Sequence, residues 1–198
     1  MIIRYIVIIS RRQILTVHTL SKEKIVAAAV QIINNQESLT FTRLSKLLGT
    51  RSQAIYNYFP DVMAIKTAVA IDFYNQLSQR LEVDLLGLSG KQAIKTFANV
   101  SVQFSLSHFL VVQKVLSIPA NEDYDKTSNN GLPAVLKILN KLLDSLIEDQ
   151  KLQLIISRML RNLIIGEIIH IGNDRFNDKL VAARDSFDKM LNITLLSL

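Results

Sequence analysis

Leu44-Ser45-Lys46-Leu47-Leu48-Gly49-Thr50-Arg51-Ser52-Gln53-Ala54-Ile55-Tyr56-Asn57-Tyr58-Phe59 is the stretch on which the reading of this chain turns. A short helix over 41–48, with Thr40 as N-cap, is expected to stop at Gly49, and a second to run over about 51–58. At about 100° per residue, Ser52, Gln53, Tyr56 and Asn57 share roughly 140° of arc, while Ala54, Ile55 and Tyr58 lie opposite. One face is therefore polar and the other packs. Two short helices around a glycine turn can project such a face from a compact scaffold into the ~12 Å major groove of DNA. Gln and Asn can bond adenine bidentately, Ser can bond several bases, and Tyr can reach a phosphate.

Outward from this stretch the periodicity stays helical. Upstream, Ile25, Ala28, Ala29, Ile32 and Ile33 recur at spacings of three and four from Ser21 onward, and the polar run 34–38 breaks the pattern. Downstream, Pro60 suits a first helical position and Asp61 a cap. Ile65, Val69, Phe73, Leu77 and Leu81 then form one apolar stripe that connects the short helices to the rest of the chain. Further helices are expected over 91–107, 108–117, 133–148, 151–171 and 175–196, with one long polar loop over 119–131. The expected fold is all-α. An N-terminal three-helix helix-turn-helix module (21–65) is followed by a C-terminal helical bundle (66–198), and 1–20 form either an arm or the product of an upstream start codon.

Composition agrees with a helical class. Of 198 residues 49% are hydrophobic, while Gly 6 and Pro 3 leave little material for the turns of a many-stranded fold. No cysteine is present, which excludes disulfides, thiolate metal sites and a thiol nucleophile, and fits a reducing cytoplasm. The net charge of +6 is confined to residues 1–59, since the rest of the chain holds equal numbers of both signs. A basic excess gathered in one module points to an anionic partner there, either nucleic acid or an anionic membrane surface. The apolar run Tyr5-Ile6-Val7-Ile8-Ile9 is far short of the ~20 residues needed to span a bilayer.

Nothing in the sequence assembles catalytic machinery. His18, His108 and His170 share no metal-ligand spacing, and Glu122, Asp123 and Asp125 cluster in the polar loop without the rest of a calcium site. There is no nucleophile elbow, P-loop or dinucleotide fingerprint, so no enzyme, metal or cofactor is expected.

The segment Thr40-Phe41-Thr42-Arg43-Leu44-Ser45-Lys46-Leu47-Leu48-Gly49, followed by Ala54-Ile55-Tyr56-Asn57-Tyr58-Phe59-Pro60, closely resembles the DNA-binding module of tetracycline-repressor (TetR) family regulators. The resemblance covers about residues 22–65. It implies that Thr42, Ser52, Gln53 and Asn57 read bases, and that Thr40 and Tyr56, with Lys46 and Tyr58, meet the DNA backbone. The helical wheel independently selects Ser52, Gln53 and Asn57. Arg43 and Arg51 are further candidates for phosphate or base contacts. Position 62 departs from the family pattern, being Val where a phosphate-binding Lys is usual, and Arg51 is expected to return that charge to the module.

The same resemblance implies a ligand-responsive repressor that binds a palindromic operator as a homodimer. Its effector would lie among the middle helices, where Phe97, Phe104, His108, Phe109, Met159 and Asn162 are candidates to line a pocket for a largely apolar small molecule. The segment 151–171 is apolar over most of its circumference and must bury two sides. In the family this helix and the last pair with their copies, which makes Leu163, Gly166, Phe187 and Leu191 candidates for the dimer interface. The rival reading is a helical protein held at a membrane surface by residues 1–12, which leaves Gln53, Tyr56 and Asn57 without a role.

Overall fold

Ser21 starts the first helix by accepting a hydrogen bond from the Lys24 amide at 3.3 Å, and α1 (Lys22–Asn34) buries the apolar positions that its spacing foretold. The computed structural model describes residues 20–118 and 131–196. The N-terminal extension before residue 20, with the proposed membrane anchor, and the polar loop over 119–130 lie outside them. All regular structure among the described residues is helical: α2 (Phe41–Leu47), α3 (Ser52–Tyr56), α4 (Val62–Asp84), α5 (Gly90–Ser107), α6 (Phe109–Leu116), α7 (Leu132–Asp144), α8 (Gln150–Gly172) and α9 (Ala183–Leu196) follow α1.

The helix-turn-helix closes through matched caps. Thr40 accepts from the Arg43 amide at 3.2 Å. At the other end of α2, Gly49 takes φ +61, its amide donates to the Lys46 carbonyl, and the Thr50 amide donates to the Ser45 carbonyl. This is a Schellman stop, and its positive φ is what calls for glycine. Leu44 and Ile55, both fully buried, join Ile25, Ala29 and Ile65 in one core that fixes α2 and α3 against α1 and α4.

Two boundaries differ from expectation around α3. The helix ends at Tyr56, with Asn57 as C-cap, because Phe59 turns inward to the core and the residue before a proline disfavours helical backbone. Pro60 precedes the cap instead of occupying the first helical turn; Asp61 is the N-cap and accepts from the Ala64 amide at 2.7 Å.

The stripe Ile65, Val69, Phe73, Leu77 and Leu81 is buried along the whole of α4. This helix packs on α1 and then on α5, α6 and α7, so it runs unbroken through the expected module boundary at residue 65. Helices α5, α7 and α8 pack on one another, and α9 covers α8. The last helix starts at Ala183 instead of 175. After α8, Asp174 adopts φ +54 and closes a second Schellman turn through the Arg175 amide and the His170 carbonyl. Phe176, Leu180 and Val181 beyond it are all exposed. Without apolar burial a short helical turn there lacks the packing that stabilises helices in water.

Candidate functional site

The outer faces of α2 and α3 hold the residues expected to meet DNA. Thr40, Thr42, Lys46, Arg51, Gln53, Tyr56 and Asn57 are all exposed. The Tyr56 ring stacks on Phe41 of α2, with centroids 4.2 Å apart and planes 4° from parallel. That contact fixes the ring across the two helices and leaves Tyr56 52% exposed. Gln53 and Asn57, four residues apart and both exposed, fall on one side of α3.

Three expected contacts are placed differently. The Ser52 side chain is half-buried, with its hydroxyl 3.1 Å from Ser45 Oγ and 3.5 Å from the Phe41 carbonyl oxygen, so it ties α3 to α2. Ser45, buried and donating to the Thr42 carbonyl at 3.0 Å, is a structural link that the sequence reading missed. Tyr58 points away from Gln53 and Asn57, its hydroxyl donating to the Leu20 carbonyl at 2.6 Å. Arg43 forms an ion pair with Glu37 at 3.0 Å and donates to the Ser38 carbonyl at 2.8 Å, which holds its guanidinium on the chain itself. At position 62 the missing Lys leaves the α4 N-terminus, and there Asp61 already occupies one of the free amides.

A second site lies among α4, α5, α6, α7 and α8. A cavity of about 90 Å³ is walled by apolar side chains that include Phe73, Leu77, Phe97, Val112, Leu139 and Ile164, and is interrupted by Tyr74, Ser101, Ser105 and Arg161. Of the residues expected to line a pocket, Phe97 lines this cavity. Phe104 lines a neighbouring cleft with Arg80, Asn99 and Gln103, and its ring meets the tilted His108 ring at 4.5 Å beside Phe73. Phe109 sits against Gly172, and Met159 and Asn162 are exposed on the far side of α8. The wall of this cavity is set by the stripes 97, 101, 105 on α5 and 161, 164, 168 on α8, which residue type alone does not single out. Arg161 was findable as a cation on the same stripe as Ile164 and Ile168.

Helix α8 has the two apolar sides that its composition requires. Ile156, Leu160, Ile164 and Ile168 are buried, whereas Leu152, Ile155 and Met159 on the opposite side are exposed, as are Met190 and Ile193 of α9. Leu163 is half-buried, and at Gly166 a side chain would meet open space. Phe187 and Leu191, expected at an interface, are 2% and 1% exposed within this chain and so belong to its own core. Between the two helices Glu167 is buried with Oε2 unpartnered, and desolvation, followed by the charge of Asp188, raises its pKa. Among the described residues no helix is long and apolar enough to cross a membrane, and no cluster of three or more acidic or histidine side chains could hold a metal.

No protein-family model matches the sequence, and no curated protein matches it. Solved structures do share its architecture. A TetR transcriptional regulator from Streptomyces coelicolor superposes with a TM-score of 0.72 at 15% identity, covering 90% of this chain and 97% of its own. A TetR variant from Acinetobacter baumannii, in complex with minocycline, gives a TM-score of 0.68 at 16% identity, covering 90% and 96%. The transcriptional regulator FadR from Bacillus subtilis, in complex with stearoyl-CoA, gives 0.67 at 16% identity, covering 90% and 100%. The fold is that of TetR-family transcriptional regulators, over most of the chain.

Proposed function

We infer that this chain, having the fold of TetR-family regulators, is a sequence-specific DNA-binding transcriptional regulator. It acts as a homodimer on a palindromic operator and is released by a small-molecule effector. The observation that carries the reading is the exposed set Thr42, Gln53, Tyr56 and Asn57, displayed across α2 and α3 of a basic module. Gln53, Asn57 and Thr42 read bases. Thr40, Tyr56, Lys46 and Arg51 bind the backbone, and Ser52 holds the reading helix in place while offering a lone pair to the groove.

Residues 21–65 form the reading module and 66–198 the effector and dimerisation module, with α4 common to both. Ile65 of α4 lies in the helix-turn-helix core, and Phe73, Tyr74 and Leu77 of the same helix line the cavity. A ligand that binds better to one placement of α4 than to another shifts the reading heads and thereby operator affinity. Ligands bound by two structural neighbours, minocycline and stearoyl-CoA, support an effector site in this fold. Homodimerisation is supported by the uncovered apolar face of Leu152, Ile155, Met159, Met190 and Ile193, with Gly166 allowing close approach. Two copies read half-sites about one DNA turn apart.

Selection and sequencing of genomic fragments retained by the purified protein tests the reading. Enrichment of a palindromic sequence is expected, with retention that falls steeply with salt. Retention without sequence preference, or none at low salt, would overturn it.

A further inference from the structure

The cavity among α4 to α8 has a chemical bias that identifies a ligand class, an inference that rests on the reading of the chain as effector-responsive. Among the described residues, all four polar side chains in its wall, Tyr74, Ser101, Ser105 and Arg161, can donate hydrogen bonds, and no Asp, Glu or His lines it. Arg161 is half-buried, and its hydrogen bond within the chain is a long one, Nε to the Ser157 carbonyl at 3.4 Å. Neither ion pair among the described residues involves it. Ser101 is 4% exposed and its hydroxyl has no partner at all, although a helical serine can ordinarily bond a carbonyl one turn back. Burial pushes the Tyr74 phenol up to about 12, which keeps it a donor at physiological pH. A half-buried guanidinium with no counter-ion among the described residues and a buried hydroxyl without an acceptor both favour an anionic acceptor, and a bound carboxylate supplies one to each.

Shape narrows the choice. An apolar cavity of about 150 Å³ accepts a benzene ring, whereas this one measures about 90 Å³. Its wall nevertheless extends from Phe97 to Ser105 on α5 and from Arg161 to Ile168 on α8, roughly 10–12 Å at the helical rise. A ligand that follows the wall over that length must be narrow, as an unbranched alkyl chain is, and the side chains that line the cavity must give way to admit it.

We propose that this cavity binds a medium-chain aliphatic carboxylate, its alkyl chain among Phe73, Leu77, Phe97 and Ile164, its headgroup on the Arg161 guanidinium, and Ser101 donating to its acceptor atoms. Octanoate is the probe and octanol its uncharged counterpart, each titrated calorimetrically into the full chain and into Arg161→Met, Arg161→Lys and Ser101→Ala. Octanoate is expected to bind at least tenfold more tightly than octanol. Arg161→Met removes that preference and leaves octanol binding unchanged, Arg161→Lys retains part of it, and Ser101→Ala weakens octanoate several-fold. The octanol arm also reports whether the cavity survives in each variant. Equal binding of octanoate and octanol, undiminished octanoate binding by Arg161→Met, or no binding of either probe at millimolar concentration overturns the assignment. The operator experiment fails separately. Octanoate binding by a chain that retains no specific DNA would sink the regulator reading and leave the ligand assignment standing, whereas specific DNA retention without octanoate binding overturns the assignment alone.

Discussion

Gln53 and Asn57 differ from Ser52 in what their side chains are free to do. The two amides are exposed, while the serine hydroxyl is engaged with Ser45. Replacing Gln53 or Asn57 by Ala is therefore expected to lose about 1–3 kcal/mol of discrimination at one base pair with little change in melting temperature. Competition shift assays with single-base operator variants check this, and uniform weakening across all variants would count against base reading. Arg51, exposed at the N-cap of α3, makes no side-chain capping bond. Arg51→Ala should reduce the slope of log affinity against log salt by about 0.9, one phosphate contact; an unchanged slope removes Arg51 from the backbone set. Glu167 supplies a pH dependence. Its carboxyl is raised above the ordinary carboxylate range in the folded chain, so the folded state holds the proton more tightly than the unfolded one. Stability tied to this group is fully present below the unfolded carboxylate pKa near 4.5 and is lost as pH rises through the folded value. Denaturant titrations across this range should show that decline in the native chain and a shallower one in Glu167→Gln, with the variant the more stable at neutral pH.

At the scale of elements, most helices are predictable from short-range patterns. Spacings of three and four in α1 and the spacing of four in α4 each specify one buried face, and the caps at Ser21, Thr40 and Asp61 are local chemistry. The late start of α9 is not local. Its expected first turns contain apolar residues at plausible spacing, but Leu180 and Val181 stay exposed and Phe176 is covered only on the face that stacks on His170. Gly172 is another position where a neighbour decides, because a Cβ there would run into the Phe109 ring, which would have to move. Gly172→Ala is expected to destabilise the chain by about 1–3 kcal/mol as overpacking, despite the better helix propensity of alanine. Thermal melts decide the sign, and a stabilised variant would show that Phe109 moves aside freely.

For the whole molecule, α8 sets the organisation by burying one apolar side in its own chain and leaving another uncovered. If a second copy covers that side, the double variant Ile155→Asp/Met159→Asp should turn a dimer into a monomer by light scattering at micromolar concentration. It should also lose affinity for a full palindrome while keeping its helical content. A native chain that is monomeric at that concentration refutes the interface. The coupling of cavity to reading heads belongs to the same scale, since α4 contributes to both the helix-turn-helix core and the cavity wall.

By itself the sequence determined the all-helical class, the turn at Gly49 and the polar face of Gln53, Tyr56 and Asn57. Each depends on residues within a few positions of one another, through backbone geometry, capping and helical periodicity. Only the tertiary structure decided which polar groups are occupied. Tyr58 is taken by Leu20, Arg43 by Glu37 and Ser38, and Ser52 by Ser45. Only the tertiary structure, too, put Phe187 and Leu191 in the core and brought Arg161 and Ser101 to one cavity. Packing between helices distant in the chain chooses among faces that are equally apolar in sequence, and it leaves the Ser101 hydroxyl without a partner where no local pattern records the loss.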